Sequence, residues 1–73
     1  MNLDNLVKMA NQIGTFFAAM PDRDEALADI ATHLRRFWAP PMRRALLEGV
    51  DNGRADAVAP IVLAALERHR GEL

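Results

Sequence analysis

Leu34-Arg35-Arg36-Phe37-Trp38-Ala39-Pro40-Pro41-Met42-Arg43-Arg44 is the stretch on which the fold turns. A proline lacks the amide that a continuing helix needs, and it pushes the preceding residue out of the helical region. A helix arriving at Trp38 therefore stops before Pro40. Proline is also well suited to the first turn of a new helix, so Pro41 opens another. The stretch is a rigid corner between two helices, with an arginine pair on each side and the chain's single tryptophan at the bend.

Upstream of the corner, Leu3, Leu6, Val7, Met9, Ala10, Ile13, Phe16, Phe17 and Met20 fall on one half of a helical wheel. Asp4, Asn5, Lys8, Asn11, Gln12 and Thr15 fill the other half. This pattern predicts an amphipathic helix from residue 3 to residue 19, capped by Asn2. Its apolar arc is wider than one core requires, so part of that face is available to a partner. A second helix begins after Pro21, where Asp22 and Glu25 have the spacing of a reciprocal cap. Its apolar face carries Ala26, Leu27, Ile30, Ala31, Leu34, Phe37 and Trp38.

Beyond the corner, the third helix is expected to run from Pro41 to Leu47 or Glu48, with Gly49 as terminator. Asp51-Asn52-Gly53-Arg54 reads as a turn. A last helix has Pro60 in its first turn and Val58, Ile61, Val62, Ala65 and Leu66 on one stripe. No strand alternation and no repeat appears. The expected architecture is all-α: a small single-domain bundle of three to four short helices spanning residues 1–73, with the proline corner between helices 2 and 3.

Composition limits what this bundle can be. Of its 37 hydrophobic residues 13 are alanine, so the core of a 73-residue chain is thin and stability alone is marginal. Cysteine is absent, which removes disulfides and thiolate metal sites and suits a reducing compartment. Charged residues and amides interrupt the first twenty residues, which fit neither a signal peptide nor a membrane span. The expectation is a soluble, cytoplasmic protein. Net charge is −1, which argues against generalised attraction to nucleic acid. Its distribution is uneven: Arg35, Arg36, Arg43 and Arg44 form an acid-free basic patch in an otherwise acidic chain.

Catalytic and metal chemistry find little support. His33 and His69 are the only histidines, and no ligand spacing converges on them. His33 lies four residues after Asp29 and is expected to form a surface pair with it. His69 falls in the last turn of its helix, where a cap or a packed ring is expected. The acids Asp22, Asp24, Glu25 and Asp29 sit at a helix start, where the dipole favours them anyway. No glycine-rich phosphate loop occurs. No catalytic, cofactor-binding or metal residue is assigned to this chain.

The corner is the informative feature. Phe37 and Trp38 have the spacing to close the core. Arg44 can pair with Glu48, and Arg36 projects toward the acidic stripe of Asp29. Arg43 projects between Leu46 and Leu47, where a guanidinium needs a carboxylate, carbonyls or an external anion. A contact with a partner and a contact within the chain are equally open to it.

These residues resemble a family. Leu6-Val7-Lys8-Met9-Ala10-Asn11-Gln12-Ile13, Phe16-Phe17 and above all Ile30-Ala31-Thr32-His33-Leu34-Arg35-Arg36-Phe37-Trp38-Ala39-Pro40-Pro41-Met42-Arg43 are similar to the delta subunit of NAD-dependent, molybdenum-containing formate dehydrogenases. The resemblance covers nearly the whole chain, and the last two helices match more loosely. It implies a non-catalytic subunit of a cytoplasmic complex that interconverts formate and carbon dioxide. In such complexes the alpha subunit carries a bis-molybdopterin guanine dinucleotide and iron-sulfur clusters, and beta and gamma subunits carry flavin and further clusters. The delta subunit supports maturation or stability. The expected partners are the larger subunits, chiefly the molybdenum-binding alpha subunit, and the expected partner-binding residues are Arg35, Arg36, Phe37, Trp38, Pro40, Met42 and Arg43. Self-association is open to the chain when that partner is absent. Two other readings stand beside this one: a chaperone whose arginines transiently hold the phosphates of the pterin dinucleotide, and a small helix-turn-helix nucleic-acid binder.

Overall fold

A computed structural model describes residues 2–73. The first helix, α1, spans Leu3–Phe17. Asn2 caps it, its side-chain oxygen accepting from the Asn5 amide at 3.3 Å. The second, α2, spans Arg23–Phe37, and the Asp22 carboxylate accepts from the Glu25 amide at 3.1 Å. Asp24 and Glu25 add negative charge to that first turn, and Arg35 and Arg36 add positive charge to the last, both in the sense the helix dipole favours.

Two Ala-Pro steps start the remaining helices. Ala39 and Ala59 share the same extended backbone, φ −62° and ψ 147°, and open α3 (Pro40–Asp51) and α4 (Pro60–Arg68). Each alanine is held out of the helical region by the proline after it, and each proline fills a first-turn position whose amide needs no partner. The third helix thus begins at Pro40, one residue earlier than expected. Its end lies further along than expected as well. Gly49 is a buried interior residue, and the terminator is Gly53, with φ +69°. The Arg54 amide donates to the Gly49 carbonyl at 2.8 Å and the Gly53 amide to the Val50 carbonyl at 3.2 Å. That paired bonding is the Schellman end, which requires a left-handed residue that glycine supplies without a Cβ penalty. A short 3-10 turn, Arg70–Glu72, follows α4.

The four helices share one core. Ile30, Leu34, Leu46 and Val62 are its largest fully enclosed side chains, joined by Leu6, Val7, Leu27, Val58 and Leu66. Helix α2 packs against α4 and α1, and α3 closes on α1. Val58 reaches this core from the loop before α4 rather than from the helix itself. Among the described residues there is no strand, and no helix is long and apolar enough to cross a membrane.

Two contacts of α1 fix how closely the bundle draws together. At Gly14 the α4 side chains come so near that a Cβ there would sit 2.6 Å from Val62 Cγ2 and 3.2 Å from Ile61 Cγ2. Glycine thus lets two helices approach where any other residue would hold them apart. Asn11 ties the same helix to the loop before α4. Its amide nitrogen donates to the Ala57 carbonyl at 2.9 Å, and its oxygen accepts from the Ala59 amide at 2.8 Å. The wheel places Asn11 on the polar half, but its amide is a staple between elements rather than a solvated group.

Gly14→Ala should destabilise the bundle by about 1–3 kcal/mol, because overpacking against a stiff β-branched neighbour outweighs the roughly 1 kcal/mol that alanine gains over glycine in a helix. Urea unfolding followed by circular dichroism measures it, and an unchanged or higher midpoint would show that the helices separate freely. Asn11→Ala should cost about 1–3 kcal/mol on the same assay, since the part-buried Ala59 amide loses its acceptor.

Candidate docking surface

The corner sorts neighbouring residues to opposite sides of the protein surface. Trp38 follows the last residue of α2 and adopts an extended backbone, φ −96° and ψ 133°, while its amide still donates to the Leu34 carbonyl at 3.0 Å. Its indole turns inward and is only 5% exposed. Phe37, one residue earlier, is left 72% exposed. The sequence expectation groups these two as one recognition surface, and burial separates them. Trp38 is a core residue of the chain, and Phe37 is the aromatic that meets solvent.

Arg43 is half-buried and turned back on the chain. One guanidinium nitrogen donates to the Arg35 carbonyl at 2.8 Å, while its Nε is enclosed without an acceptor. A cation on the last carbonyls of α2 satisfies a group the helix cannot and complements its negative end. Of the two contacts open to Arg43, the chain itself takes one. The residue clamps α3 to the end of α2. Met42 is half-buried against the core, and Pro40 is exposed at the start of α3.

Arg35, Arg36 and Arg44 remain. All three are exposed, and among the described residues none forms an ion pair. The expected Arg44–Glu48 pair does not form. The cross-chain ion pairs belong instead to α4 and its tail, where Arg68 meets Asp24 at 3.1 Å and Arg70 meets Asp51. These three arginines are therefore without an ion-pair partner among the described residues.

His33 corrects a second expectation. It makes no ion pair with Asp29 and lies among aromatic rings, 6.2 Å from Phe17 and 4.8 Å from Phe37 between centroids. Phe16 continues the row, edge-on to Phe17 at 5.0 Å, and is 74% exposed. This row borders an open apolar groove of about 440 Å³ between the second half of α1 and the end of α2. Met9, Ile13 and Phe16 line one wall, His33 the other, and Trp38 contributes at the corner. The wide apolar arc of the first helix was the signal for this groove in the sequence. For His33 the four-residue spacing to Phe37 was the available signal, whereas its contact with Phe17 had none, because it depends on how α1 crosses α2. His69 ends α4 as expected, its Nδ1 facing the Glu72 carboxylate. Among the described residues no three metal-ligating side chains gather.

A family model described as "NADH-dependant formate dehydrogenase delta subunit FdsD" matches residues 5–66, a span that runs from the first turn of α1 through α2, the corner and α3 into α4. No curated protein and no solved structure matches the chain.

Arg43→Ala should lower stability by about 1–2 kcal/mol, through loss of a charge-assisted bond to a helix end. Trp38 fluorescence should shift to the red as the corner loosens. Unchanged stability and emission would show that the clamp contributes nothing.

Proposed function

The chain belongs to the family of NADH-dependent formate dehydrogenase delta subunits, and on that premise we propose that it is a non-catalytic accessory subunit that docks on the catalytic alpha subunit and supports its maturation or stability. The observation that carries the proposal is the exposed side of the corner. Phe37 stands in water beside Arg35, Arg36 and Arg44, none of which forms an ion pair among the described residues. A large exposed aromatic next to unpaired arginines is the composition that interface hot spots favour. Small size adds to the argument, because a 73-residue bundle that leaves Phe16, Phe37 and Met9 in solvent has apolar area that a larger protein can cover.

Within this reading the expected set divides by role. Arg35, Arg36, Phe37 and Pro40 offer contact atoms, while Trp38, Met42 and Arg43 hold the corner in shape. Docking also stands ahead of transient capture of a pterin dinucleotide. Arg43 is committed to the Arg35 carbonyl, and the free arginines stand on an open surface rather than around an enclosed cradle. The subunit is taken to work in the cytoplasm alongside its enzyme, as the family resemblance implies.

Co-expression with a tagged alpha subunit tests the proposal. Phe37→Glu and the pair Arg35→Glu, Arg36→Glu alter exposed side chains, so both proteins should keep the wild-type circular dichroism spectrum. Each should lower co-purification about tenfold or more. Folded variants that co-purify at the wild-type level would remove the corner as the docking surface.

A further inference from the structure

The groove between α1 and α2 says what kind of segment the partner presents. Its lining is mostly apolar side chain with Gln12 and His33 as the polar members, and Met9, Ile13 and Phe16 face His33 across an opening of about 440 Å³. That volume lies within the roughly 300–1,000 Å³ typical of ligand sites. Among the described residues there is no strand, so no sheet edge can pair with an extended peptide. The groove walls offer a segment no main-chain partner, which favours one that closes its own backbone hydrogen bonds, as a helix does.

Charge selects the helix further. Arg36 lies one turn after His33, just beyond the α2 wall, whereas Lys8 stands away from the groove in a separate cleft with Asp4 and Asn11. Arg36 is exposed and forms no ion pair among the described residues. The corner continues the positive field from Arg36 through Arg44 without an intervening acid. Asp29, one turn before His33, is the acid on the α2 side, so a partner's acids are favoured toward the Arg36 end.

We propose that this groove receives one amphipathic helix of the catalytic subunit, with apolar anchors at helical spacing seated between Phe16 and His33, beside Phe37, and acidic residues set against Arg36 and the basic corner. The inference rests on the docking reading above and deepens it. It moves the centre of the interface from the corner to the α1–α2 groove, adding Met9, Ile13, Phe16 and His33 to the contact surface. Helix-in-groove recognition takes its affinity from such anchors, while the surrounding charges set orientation and rate of association.

Photo-crosslinking in the assembled enzyme tests it. The probe p-benzoylphenylalanine replaces Phe16 or Phe37, both exposed, and replaces Glu67 on α4 as a control. The joined peptides are then identified by mass spectrometry. The groove predicts that positions 16 and 37 join to one segment of the catalytic subunit, with apolar residues three and four apart and more acids than bases. The control position should not reach that segment. In parallel, Arg36→Glu with Arg44→Glu should weaken assembly about tenfold at 0.1 M salt and less at 0.5 M.

A complex that retains the chain while positions 16 and 37 join to nothing would overturn the groove and leave docking standing. Joining to a basic segment, to one without helical spacing, or to a second copy of this chain would overturn it equally. Failure of the wild-type chain to assemble at all would sink the docking reading and the groove with it.

Discussion

Burial of Trp38 is the constraint on which the rest of the molecule depends. The core is small, assembled from larger aliphatic side chains with a few alanines between them, and the indole is the largest single group available to it. To bring that ring inward, α2 must stop at Phe37 and the chain must turn extended at Trp38. Pro40 makes the stop permanent, and Arg43 reaches back to the Arg35 carbonyl to hold the turn. Once Trp38 points in, Phe37 and the last-turn arginines of α2 have no place except the outside. The apolar and basic surface is thus a consequence of how this small chain completes its interior.

The same economy governs α1. Its apolar arc is too wide for the space that α3 and α4 leave, even though Gly14 lets α4 approach as closely as side chains permit. Leu6, Val7 and Ala10 go inward, whereas Met9 and Phe16 remain outside and Ile13 is shared. These leftovers meet the end of α2 at an aromatic row running from Phe16 through Phe17 and His33 to Phe37. The surplus is therefore collected in one groove, beside the basic patch, rather than scattered over the surface.

Much of this was legible in the sequence because it is local. Caps at Asn2 and Asp22, the proline starts and the apolar faces follow from nearest neighbours and helical spacing. Gly49 misled because a glycine serving a close helix contact with Leu3 looks the same, in one dimension, as a glycine that ends a helix. Asn11, His33 and Arg43 were hidden for a related reason. The partners of Asn11 and Arg43 lie 46 and 8 residues away, and for His33 helical spacing offered Asp29 and Phe37 equally, with Phe17 of α1 joining only through the fold. The resemblance carried by the corner motif pointed to the family, while the geometry revealed that two of its most distinctive residues, Trp38 and Arg43, shape the bend from within.

Side-chain footprinting of the free chain and of the assembled formate dehydrogenase addresses the central claim most directly. If the surface displaced by Trp38 burial is what the enzyme covers, Met9, Phe16 and Phe37 should label readily in the free chain and be strongly protected in the complex. Leu63, exposed on α4, should label alike in both. Equal labelling of Phe16 and Phe37 in the two states, or protection confined to the α4 side, would contradict the account.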